Sequence, residues 1–316
     1  MDLNPAACYR KYRMMIDTLA IVRPPATGDQ ELAQRLSTGL KDASHSVAVY
    51  SSAEWRDLAS EDLSRTTLFV VSPGSCVETS GDEPAFLSTL ASTQKRILAS
   101  AGPVEGPWYM ARLSKGICFD AVFDIGFVSQ RDKHSDVSDL PYHFVFNGLT
   151  REEEPFATKS AHPEERTIPW VLLGSKNDRH RDLLVELYEN KVDPRGLCFL
   201  LAPLRSNTTT QPVLSSSGLS AVLSKARYYL WGSDRGVSYY ESFRFVRALL
   251  AGAVPCKIDP DYPRKALDIP GIYPSVSSFQ TEVQYEGYRA LYRRASNFYA
   301  SKGGLAEHLS KALRLV

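Results

Sequence analysis

The sequence predicts an α/β protein made of two mostly parallel sheets facing a cleft. Three observations carry this expectation. Short apolar, β-branched runs alternate with helical segments; one long polar stretch, Arg151–Thr167, interrupts them; and the alternation then restarts. Near-continuous apolar strands separated by helices are the mark of parallel sheets covered on both faces.

In the first half, Asp17–Val22 reads as a buried strand ended by Pro24-Pro25 and a turn at Gly28. The helix Asp29–Asp42 follows, with Asp29 as its cap. Leu32, Leu36 and Leu40 form one stripe along it. Ser46–Ser52, Thr67–Pro73, Lys95–Ser100, Phe119–Val128 and His143–Leu149 read as further strands.

Arg151–Thr167 carries two prolines and no apolar period, so it reads as a linker between domains 1–160 and 161–316. Beyond it, Ile168–Gly174, Gly196–Pro203, Arg227–Gly232 and Val254–Asp259 read as strands. The intervening helices are Asp178–Asn190, capped by Asp178, then Ser216–Ala226, then Ser238–Ala253, ended by Gly252. Two amphipathic helices close the chain, and the last is expected to pack back on the first half. Two such units imply two Rossmann-like domains.

The 316 residues suffice for two such domains, and 43% hydrophobic with 23% charged residues is an ordinary globular mixture. A net charge of +1 gives no broad attraction to nucleic acid or to an anionic membrane. No apolar run approaches the roughly 18 residues of a membrane span, and Asp17 interrupts any signal-like segment at the start. Asn207-Thr208-Thr209, although it fits a glycosylation acceptor, reads as a chance match. Cys8, Cys76, Cys118, Cys198 and Cys256 form no paired motif, and the last three sit in apolar runs that predict burial. A reducing, cytoplasmic setting is the expectation.

Chemistry concentrates in Glu241–Asp259, ESFRFVRALLAGAVPCKID. A helix with Phe245, Ala248 and Leu249 inward, released by Ala251-Gly252-Ala253 into a buried strand, points its amide groups toward the strand ends. Such an end attracts a diphosphate. Arg244, in the first turn, suits bidentate phosphate contact, and Glu241 and Ser242 suit hydroxyl groups.

This segment resembles the donor-site segment of GT-B-fold glycosyltransferases, closest to the exostosin-like and spore-maturation-type families. Their pattern Ser-x-Arg-x-x-x-Ala-Leu-x-x-Gly-x-x-Pro is met by Ser242, Arg244, Ala248, Leu249, Gly252 and Pro255. The resemblance covers about 40 residues, Leu223–Tyr262. It implies a nucleoside-diphosphate sugar as donor, with Arg244 on the diphosphate and Ser242 or Glu241 on ribose or sugar. Retaining relatives carry two glutamates eight positions apart; here those positions hold Tyr239 and Arg247, which turns the expectation toward an inverting reaction.

Gly174, Ser175, Lys176 and Arg179 follow the first strand of the second half and offer a second phosphate-binding loop, joined by Arg205. Arginines and a helix dipole can hold a departing diphosphate, so neither cofactor nor metal is expected. Asp259-Pro260-Asp261 reads as a turn rather than a metal site.

An inverting transferase needs a base. Asp29 is favoured because the loop after the first strand borders the cleft, with Asp82 and Asp124 as alternatives. His45, His134 and His143 are isolated, and Ser75 lacks a nucleophile elbow. No G-x-G-x-x-G follows the first strand, which excludes a dinucleotide dehydrogenase of the usual type. The competing expectation is a two-lobed binding protein of the same fold without turnover.

Overall fold

The computed structural model describes residues 18–25, 27–58, 63–101, 118–126, 140–154, 166–175, 177–201, 216–233, 238–265 and 267–316. The first half forms β1 (Thr18–Arg23), α1 (Thr27–Asp42), β2 (Val47–Ser51), α2 (Ser52–Arg56), β3 (Thr66–Val71), α3 (Pro73–Thr79), α4 (Glu83–Ala91), β4 (Lys95–Ser100), β5 (Ala121–Asp124) and β6 (Tyr142–Phe144). The second half forms β7 (Ile168–Ser175), α5 (Asp178–Glu189), β8 (Leu197–Leu201), α6 (Ser216–Leu223), β9 (Ala226–Gly232), α7 (Ser242–Leu250), β10 (Val254–Ile258), β11 (Ile272–Tyr273), α8 (Val276–Lys302) and α9 (Leu305–Leu313).

Two all-parallel sheets result, ordered β2-β1-β3-β4-β5-β6 and β11-β10-β9-β7-β8. The fold class is α/β with two Rossmann-like units, as the alternation of strands and helices requires. Each order reverses once, between β1 and β3 and between β7 and β9. Ligands of open α/β sheets bind outside the carboxyl ends of strands at such reversals.

Alternation along each strand sends neighbours to opposite faces. Leu19, Ile21, Phe69, Val71, Ile97 and Phe123 face one core with the stripe Leu32, Leu36 and Leu40 of α1. Ala20, Val22, Leu68, Val70, Leu98 and Val122 face the other, covered by Trp55, Cys76, Phe86 and Leu90. That second cover includes α3 and α4, two short helices that the sequence analysis does not assign, each with a proline in its first turn.

Three caps differ from expectation. α1 begins at Thr27, so Asp29 lies inside its first turn. Asn177, not Asp178, caps α5 through a bond from the His180 amide. Ser275 starts α8 several residues earlier than its periodicity suggests, and the helix breaks at Gly287 (φ 74°). Gly252 (φ 75°) does end α7, where a left-handed residue suits glycine. Cys118 and Cys198 are exposed, contrary to the predicted burial: Cys118 precedes β5, and Cys198 sits on the edge strand β8. Cys8 lies outside the described residues.

The two halves share their cores. Val145 joins the first core and the adjacent Phe146 joins the second, stacking on Tyr240 at 6.1 Å. Leu305, Leu309 and Ala312 of α9 enter the first core beside α1, although α9 follows the second half in sequence. The Leu305 amide donates to the Leu149 carbonyl at 3.0 Å.

Leu309 is wholly buried in that packing. Leu309→Ala should therefore lower the unfolding free energy by about 2–5 kcal/mol. Urea denaturation followed by circular dichroism measures this; a loss under about 0.5 kcal/mol would show that α9 does not hold the first half.

Candidate functional site

The carboxyl ends of β7, β9 and β10 gather most of the described sequence-predicted donor residues. Lys257, on β10, is fully buried, and Asp259, two residues on, shares its strand face and is also buried. Lys257 Nζ pairs with Asp259 Oδ2 at 2.8 Å and Glu241 Oε2 at 3.6 Å, and donates to the Tyr239 carbonyl. The Tyr239 and Tyr262 rings flank the ammonium at 5.3 and 5.8 Å. Such a charge survives burial only because its partners surround it.

The network runs outward on both sides. Glu241 accepts from Trp231 Nε1 at 2.8 Å and pairs with Arg244 Nε at 3.1 Å. Arg244 donates to the Leu173 carbonyl at 2.8 Å and the Tyr229 hydroxyl at 3.1 Å, and lies over the Trp231 ring. Its guanidinium thus fastens the start of α7 to β7 and β9. Burial works against that charge, and Tyr229, Glu241 and Tyr239 outweigh it, so the pKa lies above its ordinary value.

On the other side Asp259 accepts from Ser233, from Ser238 at 2.8 Å and from Arg179 at 3.3 Å. Burial disfavours its carboxylate, but Lys257 and the two serine hydroxyls reverse that and hold its pKa below the usual carboxylate value. Arg179 also pairs with Asp261 at 3.6 Å. Signs alternate along Arg244, Glu241, Lys257, Asp259, Arg179 and Asp261, so the cluster is neutral overall. Its outer end is the loose one: the Arg179 side chain is 28% exposed and that of Asp261 76%.

The other predicted residues fall as follows. Gly174, next to last in β7, lies beside the buried His180 ring; a Cβ there would lie 2.3 Å from His180 Cδ2, so the space glycine provides is filled by that imidazole. Ser175 closes the strand, while its side chain, Lys176 and Arg205 lie outside the described residues. Ser242 is buried and its hydroxyl meets Asn147 Nδ2 at 3.1 Å, tying the start of α7 to the first half. Asp82 caps α4 through the Ala85 amide at 3.0 Å, a structural task. Asp124 is fully buried, accepting from the Gly126 amide at 2.7 Å and from Tyr142.

Asp29 stands at the reversal point of the first sheet, on the helix after β1. Ser72, just past β3, donates to its Oδ1 at 2.5 Å. Ser72 is left-handed (φ 49°, ψ 63°), a conformation costly for a non-glycine residue. Burial raises the Asp29 pKa and the Ser72 hydroxyl only partly offsets it. Arg35, about 9 Å further along α1, reaches Asn147, which in turn holds Ser242. Arg247, at the opposite end of α7 from Ser242, grips Glu31 at 2.5 and 2.7 Å. The two helices are thus tied together at two points.

Sequence reading missed Lys257, Asn147, Ser72, Ser233 and Ser238. Only Lys257 had a signal: a lone cation in the otherwise apolar strand VPCKI, two residues before an aspartate. Among the described residues no group of His, Cys, Asp and Glu is placed to hold a metal ion, and no helix is long and apolar enough to cross a membrane. No family model matches the chain, and no curated protein matches it either.

Lys257→Met leaves Asp259 and Glu241 without their central cation and should cost about 3–5 kcal/mol of stability, read by urea denaturation. Adding Asp259→Asn to it should recover part of the loss. Because the Asp259 pKa is lowered on folding, its stabilising contribution is present above the ordinary carboxylate value. It should fade as pH falls through the lowered folded value, which an acid titration of Tm follows.

Proposed function

We propose that the chain is a glycosyltransferase that moves a hexosyl or pentosyl group from a nucleoside-diphosphate sugar to an acceptor hydroxyl, with inversion and without a metal. One observation carries the reading: the segment that resembles a donor site opens α7 at the carboxyl ends of the second sheet, beside Arg179 and the β7–β9 reversal. The start of α5, which carries Arg179, then turns its positive dipole end toward a diphosphate, while the Ser242 and Arg244 amides of α7 are spent on the Tyr240 and Glu241 carbonyls.

In this reading Arg179 is the phosphate-facing cation. Its partner Asp261 is exposed and able to swing away, whereas Arg244 is committed to Leu173, Tyr229 and Glu241 and serves by fixing the start of α7. Lys176 and Arg205, outside the described residues, remain candidate phosphate contacts from the sequence. Departure of the diphosphate leaves negative charge that Arg179 and the helix amides stabilise. Asp29 is the proposed base, accepting the acceptor hydroxyl's proton as that oxygen bonds to the anomeric carbon. Its raised pKa brings it nearer a working pH, which strengthens a carboxylate as a base.

The engagement of Glu241 within the molecule favours a second reading, a two-lobed nucleotide- or sugar-binding protein without turnover. Slow hydrolysis of UDP- or GDP-sugars, absent in Asp29→Asn, separates the two.

UDP or GDP at a hundredfold excess over Kd should stabilise the chain by about 2.7 kcal/mol in a thermal-shift assay. Arg179→Ala should abolish the shift and Asp261→Ala should enlarge it, since the competing carboxylate is gone. An undiminished shift in Arg179→Ala contradicts the phosphate assignment. Asp29→Asn should keep nucleotide binding and lose roughly 10²–10⁴-fold in turnover. Wild-type turnover should rise as pH passes upward through the raised Asp29 value.

A further inference from the structure

A groove of about 640 Å³ runs between α1 and α7, away from the cluster around Lys257. Its volume falls within the roughly 300–1,000 Å³ of small-molecule sites, which favour boundaries between structural units. One side is apolar, built by Phe243, Val246 and Leu250 of α7. The facing wall is polar, with Gln34 and Thr38 of α1 and, beside them, Thr150.

The charges in this groove decide what it can hold. Arg35 spends its guanidinium on Asn147, on Glu153 at 2.7 Å and on the Gly148 carbonyl at 2.7 Å. Arg247 is held by both oxygens of Glu31. Exposed Glu152 adds a further negative charge to the lining. Balanced pairs with an extra carboxylate disfavour a diphosphate. They suit a neutral ligand with one apolar face and many hydroxyls, because carboxylates accept from hydroxyl groups while glutamine and threonine both donate and accept.

We infer that this groove binds a neutral saccharide, with its C–H face on Phe243, Val246 and Leu250 and its hydroxyls toward α1. Neither Asp29 nor Arg179 lines the groove, so this binding is separate from the proposed transfer and does not rest on the transferase reading.

The test is saturation-transfer NMR on the full chain with maltose, cellobiose, lactose and trehalose, beside a thermal-shift measurement with UDP and GDP. Transfer from at least one disaccharide is expected. Ser224→Trp, a bulky change at the exposed rim, should weaken it by about tenfold or more, and the nucleotide shift should be unchanged. Ser220→Trp, on the same rim, is the second variant should the first fail to fold. The inference is overturned if no disaccharide gives transfer, if UDP or GDP displaces the saccharide from the groove, or if transfer survives a folded rim variant undiminished. Loss of the nucleotide shift alone, with saccharide binding intact, would instead sink the transferase reading and leave the groove standing.

Discussion

A buried lysine constrains the whole second half. Lys257 has no water to solvate its charge, so the fold must bring Glu241, Asp259, the Tyr239 carbonyl and two tyrosine rings around it. Meeting that demand fixes the surrounding structure. Glu241 must sit at the start of α7, which sets the helix against Trp231 and places Arg244 across the ends of β7 and β9. Asp259 in turn draws Ser233, Ser238 and Arg179 together from three different segments. A dry, rigid interior passes outward to a partly exposed arginine, which is how a sheet presents a cation at its carboxyl edge without disordering it.

The same helix α7 joins the two halves. Its start meets Asn147, its far end grips Glu31, and Phe243 packs against the first core. From the other direction α9 returns to cover α1. The segment 145–149 feeds both cores, with Phe146 on Tyr240 and Val145 beneath α1. A substitution near α7 is thus felt on both sides of the boundary, and α1, the helix that carries Asp29, is tied to the start of α7 through Arg35, Asn147 and Ser242.

The fold was largely legible because its signals are periodic. The leucine stripe of α1 and the apolar runs within β3, β4, β7 and β9 declare themselves in sequence. The short helices α3 and α4 did not, since seven to nine residues give too little period to outweigh proline and glycine. For the candidate site, residue types were readable but partners were not. Arg244 and Glu241 looked solvent-facing at a helix start, whereas tertiary contacts with Leu173, Tyr229 and Trp231 turn them inward. Gly174 looked like a phosphate approach and instead makes room for His180. Ser72 and Asn147 are far in sequence from what they touch, and nothing local marks either.

The most direct measurement is a crystal structure of the chain grown with a saturating nucleoside diphosphate, UDP or GDP. The account predicts diphosphate density at the carboxyl ends of β7 and β9, within hydrogen-bond reach of Arg179, with the Asp261 side chain turned away. Density lodged instead between α1 and α7, or none at saturating nucleotide, would contradict it.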